Sequence, residues 1–324
     1  MVIHKILKIK WLIIRAGCLI LFLIQPCHGA FENIGIGARP VAMGRAHVAL
    51  ADDMYAMFYN PAGLIKNSSV AFGTMYARLY PGIDDDQLHY AAVSAVIPLK
   101  FIGKFGFALT NFNIDVYREN MLYLSYARRL PLNLAIGANL KGLRWGADGD
   151  IDPVTGVKDK DFSFTGFSFD IGVLYSLLST RNTLLEPIVG AGQFQLGAVM
   201  TDLLQPSIAE NGSSDAKLPL GITGGLAFIR QDASIAVSIQ RRAETTRLQL
   251  GVELELYHFQ SESLPMHFWL RGGGIRMLSD HKGGEVDLGF GIGVKNYILD
   301  YAFVFPLVLK DVGSNHKISF NFRF

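Results

Sequence analysis

The stretch His316 to Phe324, HKISFNFRF, alternates without a break. Ile318, Phe320, Phe322 and Phe324 fall on one side of a strand, and Lys317, Ser319, Asn321 and Arg323 fall on the other. Successive side chains of a strand point to opposite faces, so this segment has one aromatic-aliphatic face and one polar face. In a water-soluble sandwich the apolar face is the core. In a barrel within a bilayer it is the outside.

The same period of two returns along the chain from about residue 70. In LPLNLAIGANLKG, residues 130–142, Leu132, Leu134, Ile136, Ala138 and Leu140 alternate with Asn133, Ala135, Gly137, Asn139 and Lys141. In RLQLGVELELY, residues 247–257, Leu248, Leu250, Val252, Leu254 and Leu256 alternate with Gln249, Gly251, Glu253 and Glu255. In DLGFGIGVK, residues 287–295, Leu288, Phe290, Ile292 and Val294 oppose Gly289, Gly291 and Gly293. A sandwich carries its charges outward, whereas a barrel in lipid carries them inward and shows lipid a belt of Leu, Ile, Val and Phe. Many segments run to about 9 to 11 residues, the span of a tilted membrane strand, against five or six for an ordinary strand. Tyr76 and Tyr80, Tyr123 and Tyr126, and Tyr297 and Tyr301 lie near strand ends, as an interfacial girdle requires.

The composition, 324 residues with 50% hydrophobic and 18% charged, suits either two soluble domains or one large barrel and excludes disorder. The start of the chain is more informative. Lys5, Lys8, Lys10 and Arg15 precede the apolar run AGCLILFLI, and PCHGA supplies small residues before FENIG, the layout of a secretory leader cleaved after Gly29 or Ala30. The apolar run is shorter than the ~20 residues of a membrane-spanning helix, and Ile24-Gln25-Pro26 is a poor context for lipidating Cys27. Cys18 and Cys27, the only cysteines, both lie in this leader, so no disulfide is expected beyond it. Without the leader's four cations the 30 basic residues fall to 26, against 28 acidic, which asks for no nucleic-acid partner.

Fourteen candidate strands can be counted, an even number as in single-chain bacterial barrels. If the first strand leaves from the periplasm, the odd-to-even connections are the outer loops. WGADGDIDPVTGVKDKDF and DLLQPSIAENGSSDAKLP fall at such positions, while IRQDA, KFI and Lys295-Asn296 fall at inner ones. SLLSTRNTLLEPIVGAGQ, residues 176–193, is an inner connection too long for a tight turn, predicting order against the barrel foot or a miscounted hairpin.

Residues 31–67 break the pattern. GIGARPVAMGRAHVALADDMYAMFYNPAGLI is rich in Ala, Gly and Met, spaces Val41, His47, Val48, Met54, Ala56 and Met57 like helical turns, and ends at the turn signal Asn60-Pro61. A barrel of ~14 strands encloses a lumen that side chains alone do not close, so this segment is expected inside as a plug. The predicted organisation is therefore a leader over 1–30, a plug over 31–67 and an all-β transmembrane barrel over 68–324.

Here the residues carry a resemblance. Gly37-Ala38-Arg39, Met43-Gly44, Ala49-Leu50-Ala51-Asp52-Asp53, Ala56 and Asn60-Pro61-Ala62-Gly63-Leu64 look like the amino-terminal signature of the PorV/PorQ group of outer-membrane proteins, related to FadL-type hydrophobic-compound transporters. FSFDIGVLYSL, QLGAVMTDL, LPLGITGGLAF and DLGFGIGVKNYILDYAFVF are similar too. The resemblance implies a fourteen-stranded barrel with an amino-terminal hatch. It leaves two occupations open: passage of fatty acids or aromatic hydrocarbons, as in FadL relatives, or service to type IX protein secretion as a partner-binding shuttle.

Among candidate site residues, Asp52 and Asp53 are expected to pair with Arg39, Arg45 or lumen cations and pin the plug. They are no acid-base couple, since adjacent residues of a helix diverge and no third catalytic group follows. Asn60, Pro61, Ala62 and Gly63 are read as the turn joining plug to first strand, with contact to a passing solute as the other reading. Asp148, Asp150, Asp152 and Asp159 imitate a calcium loop, but Pro153 stands where its sharp-turn Gly belongs, and a solvated outer loop is the better reading. Gly272-Gly273-Gly274 and Gly289 to Gly293 lack the spacing of a phosphate cradle; they read as curvature or lumen space, with Gly289, Gly291 and Gly293 a candidate wall opening. The scattered histidines form no HExxH and Ser168 no nucleophile elbow, so neither catalysis, a metal site nor a cofactor is expected. Phe320, Phe322 and Phe324 resemble the mark that barrel-insertion machinery reads. The expected partners are outer-membrane lipid, that machinery, and a hydrophobic small molecule or secretion-system proteins.

Overall fold

A computed structural model describes residues 30–324 except 33, 84–87, 150–157, 182, 184, 210–215, 260–263, 280–282 and 309–312. Residues 1–29 of the leader lie outside the described residues, as do Asp150 and Asp152 of the calcium-like loop. The alternating segments form fourteen strands: β1 (Ala71–Leu79), β2 (Leu88–Leu99), β3 (Gly103–Ile114), β4 (Tyr117–Arg129), β5 (Leu134–Ala147), β6 (Phe162–Ser179), β7 (Gly192–Thr201), β8 (Gly221–Arg230), β9 (Ala233–Arg242), β10 (Thr245–Phe259), β11 (Met266–Met277), β12 (Gly284–Val294), β13 (Tyr297–Pro306) and β14 (Asn315–Arg323). Each pairs antiparallel with its sequence neighbours, and β14 returns to β1 in register Phe72 to Phe322, closing the barrel. Closure leaves no unpaired edge, which lipid would penalise.

The two faces are the reverse of a soluble core. Leu250 is 52% exposed, while Lys141 and Glu253, on the opposite faces of their strands, are 5% and 8% exposed. Leu109, Leu124, Leu140, Ile171, Ile239 and Leu288 continue the exposed apolar belt around the barrel. An apolar surface of that extent is matched by hydrocarbon and not by water. The aromatic girdle is partly as expected: Tyr76 and Tyr297 are exposed and Tyr126 donates to the Ile102 carbonyl at the rim. Tyr123 is a correction, because its odd parity on β4 turns it into the lumen, where it is buried.

The connection between β6 and β7 adds no hairpin. It holds a short helix, Glu186–Val189, and is tied at its base by Thr180, whose hydroxyl accepts from the Gly192 amide at 2.7 Å and donates to the Gly190 carbonyl at 2.7 Å. Arg230 at the foot of β8 donates to Val189, so the segment rests against the inner rim. On the outer side, the β7–β8 connection folds inward: Ile208 and Leu218 are buried in one cluster with Tyr123 and Leu143, and the Trp145 indole donates to the Ile208 carbonyl.

The segment before β1 lies in the lumen. It contains α1 (Ala38–Ala42), α2 (Ala56–Tyr59) and a 3-10 helix (Pro61–Lys66), joined by turns. Less of it is helical than the residue spacing predicts. Gly35, Gly37 and Gly44 take left-handed φ angles of 82°, 85° and 60°, which interrupt helix propagation. Several backbone amides bond to wall side chains instead of to carbonyls four residues back, as Ala38 does to the Ser319 hydroxyl at 2.7 Å.

Candidate functional site

The inner wall is built to receive backbone. A Cβ at Gly251 would lie 2.3 Å from the Met43 carbonyl oxygen, and one at Gly137 would lie 2.3 Å from the Ala62 nitrogen. Gly197 faces Val48, and Gly273 faces Gly44, in the same way. The lumen glycines of β5, β7, β10 and β11 thus mark where the plug's main chain touches the barrel.

Charged side chains fix the plug at its inner side. The Arg39 guanidinium donates to both oxygens of Glu253 on β10 at 2.7 and 2.8 Å, to Asp52 at 2.5 Å and to Asp53 at 3.0 Å. Glu253 also accepts from Arg271 of β11 at 2.6 Å, and Arg271 reaches Asp300 of β13 at 2.8 Å. Asn321 on β14 links Asp300 to the Tyr55 hydroxyl, at 2.8 and 2.7 Å. Burial opposes ionisation of Asp53, but His47 and Arg39 outweigh it and hold the carboxyl below its usual range. Toward the outer end of the barrel, Arg45 pairs with Glu285 at 2.6 Å, and the Lys317 ammonium donates to the Ile34 and Gly35 carbonyls at 2.7 and 2.8 Å. Such buried pairs contribute specificity of placement more than net stability, because desolvation offsets much of the attraction.

A second polar group lies in the outer half. Lys141 bonds Asp170 at 2.7 Å and also Asp202, which accepts from Arg242 at 2.6 Å. These side chains share a narrow cavity of about 70 Å³ with Phe58, Tyr59, Tyr90, Tyr123 and Leu143. Its walls are therefore aromatic on one side and ionic on the other. A larger cavity of about 340 Å³ opens at the inner mouth beside Arg39, Asp52, Trp269, Arg271 and Lys295.

Most predicted site residues meet here. Asp52 and Asp53 do pair with Arg39, while Arg45 goes to Glu285 instead. Met43 and Gly44 pack on Gly251 and Gly273. Asn60 caps the 3-10 helix by accepting from the Ala62 amide at 3.1 Å, and its amide group donates to Val48 and Val173 carbonyls at 2.8 and 2.9 Å. Asn60-Pro61-Ala62-Gly63 therefore seats the plug on β5 and β6, and the joint to β1 comes later, after Asn67. At Gly289, Gly291 and Gly293 the ladders to β11 and β13 are continuous, and the space is taken by Ala42, by Arg271 with Asp300, and by Trp269. The room read from those glycines is filled in this state. Phe320 and Phe324 face outward, and the Phe324 amide bonds Val70 at the seam. Sequence reading saw Lys141 and Glu253 as inward charges but missed Arg271, Asp300, Asp170 and Asp202 as their partners. The inward parity of Asp170, Arg271 and Asp300 was a signal; the pairing was not, and Asp202, just past the end of β7, had no such signal.

Comparison with known proteins agrees with this architecture. A family model described as type IX secretion system membrane protein PorP/SprF matches residues 54–322. The type IX association suggested by the resemblance thus returns, under PorP/SprF and not under PorV/PorQ. No curated protein matches the chain. Among solved structures, the CymD monoaromatic hydrocarbon channel aligns over 91% of this chain and 99% of its own, at 12% identity and a TM-score of 0.61. The Ralstonia pickettii toluene transporter TbuX aligns over 91% and 100%, at 14% identity and 0.55, and the P. putida toluene transporter TodX over 90% and 99%, at 13% identity and 0.58. At such identities the likeness is one of fold.

Proposed function

The chain belongs to the PorP/SprF family of type IX secretion system membrane proteins, and from that premise we propose that it is an outer-membrane barrel that binds a hydrophobic small molecule above its plug and lets it pass when the plug shifts. The observation that carries this reading is the aromatic floor of Phe58, Tyr59, Tyr90 and Tyr123 between the plug and the inward-folded β7–β8 connection. Aromatic faces take up apolar rings by dispersion and area burial. The barrels that share the fold include ones described as hydrocarbon channels and toluene transporters, which supports the same solute class. With about 70 Å³ available, well under the ~300 Å³ of an ordinary ligand pocket, binding requires the floor to widen. Arg39, Met43, Gly44, Asp52, Asp53 and Asn60 to Gly63 are the seat of that hatch on this reading. Gly289, Gly291 and Gly293 are where the wall would open if Ala42, the Arg271–Asp300 pair and Trp269 withdrew.

A second reading is favoured by the family match itself: a secretion-system component, in its finer form a PorV-like shuttle, that acts by holding protein partners at its rims. Its plug then stays closed. In either case Phe320, Phe322 and Phe324 serve as the insertion mark, in keeping with their outward face and the seam at Val70.

One experiment separates the two. Purified protein in liposomes is given a fluorescent aromatic tracer, and native membranes are probed by affinity capture. The first reading expects tracer uptake several-fold above empty liposomes and an apolar molecule extracted from the pure protein. Uptake at the empty-liposome level, together with capture of secretion-system proteins, would replace it with the second.

A further inference from the structure

β10 and β11 carry a local irregularity that the plug and the cavities do not explain. Their register runs Glu253 to Arg271 and Glu255 to Trp269, then shifts, so that Tyr257 opposes Phe268 and His258 opposes His267. Leu256 is the extra residue of a bulge. Up to that point the odd residues of β10 face the lumen and the even ones face lipid, as Gln249, Gly251 and Glu253 against Leu250, Val252 and Leu254 show. The bulge inverts the parity. His258, which regular pleating would send into the bilayer, is turned to the same side as Glu255, and Tyr257 takes the outward place.

The result is a triangle. The His258 Nδ1 lies 3.0 Å from Glu255 Oε1, the His267 Nδ1 lies 2.5 Å from that same oxygen, and the two Nδ1 atoms lie 3.0 Å apart. Three edges need three hydrogens if all are hydrogen bonds. Two neutral imidazoles and a carboxylate supply at most two at these atoms, and two Nδ1–H groups aimed at one oxygen face each other. A divalent cation meets all three lone pairs at once. Tetrahedral bonds of ~2.1 Å place ligand atoms ~3.4 Å apart, so the two 3.0 Å edges need ~0.4 Å of expansion and the 2.5 Å edge between Glu255 and His267 ~0.9 Å. His267 is held for the purpose: its ring stacks on Trp269 at 5.3 Å with 2° between planes, and Arg271 lies over the other ring of that stack, 5.7 Å from the Trp269 centroid. The three side chains are 13 to 36% exposed, at the inner mouth, so an ion can arrive from the periplasmic side.

We propose that Glu255, His258 and His267 form a metal site for a zinc-like divalent cation, assembled by the bulge at Leu256. Nitrogen-rich ligation with one carboxylate suits zinc, cobalt or nickel over magnesium or calcium. Bound there, the ion ties β10 to β11 two residues from Glu253, the wall anchor of Arg39, so it stiffens the barrel where the plug is held.

The test uses the full barrel in detergent, stripped with chelator and titrated with zinc by calorimetry and with cobalt by visible absorption. The expected result is one ion per chain and a cobalt d–d band. His258→Asn and His267→Asn should each weaken binding at least tenfold. His316→Asn, on the outer surface of β14, should leave it unchanged. The heated-versus-unheated gel shift confirms folding of each variant. No zinc uptake by the parent protein, or equal affinity in the His258→Asn/His267→Asn double variant, would overturn the assignment.

Discussion

Single atoms decide how the plug meets the wall. Gly251 has the Met43 carbonyl where a side chain would start, whereas Gly224, on the lipid face of β8, would meet nothing within 4 Å. Gly251→Val is therefore expected to destabilise by about 1–3 kcal/mol through overpacking, and Gly224→Val to stay within about 0.5 kcal/mol. Urea unfolding of the two variants in the same detergent measures the difference. Equal effects would mean that the plug does not lie where these contacts place it. Both residues look alike in the sequence. Only parity along the strand separates them, and parity does not say that a backbone is waiting on the inner side.

At the scale of the element, the plug is held by side chains more than by its own helices, which are four to six residues long. Isolated helices of that length do not persist in water, so its conformation is imposed by the wall. Arg39 is the central contact, shared among Asp52, Asp53 and Glu253. Arg39→Ala leaves three carboxylates clustered with much less positive charge, a loss of the order of 3–5 kcal/mol for a broken buried pair. Trypsin should then cut at Arg45 at least tenfold faster, while the heated-versus-unheated gel shift still reports a closed barrel. Unchanged proteolysis would show that backbone contacts suffice to hold the plug. The Asp52-Asp53 pairing with Arg39 was legible from charge and proximity in sequence. Glu253 as third partner was not, being 214 residues away.

At the scale of the molecule, the apolar belt fixes which solvent the barrel occupies. Leu140 lies near the middle of β5, is 47% exposed, and pairs with Leu124 and Phe169 on its neighbours. Leu140→Arg should cost about 2–4 kcal/mol when unfolding is followed in lipid vesicles, the penalty for a cation at bilayer midplane. A change under ~1 kcal/mol would place this surface outside the hydrocarbon. Closure of fourteen strands around a plug also accounts for the distribution of charge: ions that lipid would reject are gathered inside, where Arg39, Arg45, Lys141, Arg242 and Arg271 meet carboxylates from another strand, a connection or the plug.

The sequence by itself determined the strand count, the inward and outward faces, the position of the long connections and the presence of a non-strand segment before β1. These are written in local periodicity, and a pleat converts period two directly into two environments. Tertiary structure alone decided which inward charges meet, that Asn60 to Gly63 seat on β5 and β6, and that a bulge at Leu256 brings His258 beside His267. Those outcomes depend on register and on barrel closure, which bring residues hundreds of positions apart within 3 Å, and no local pattern in the chain encodes which partners closure will select.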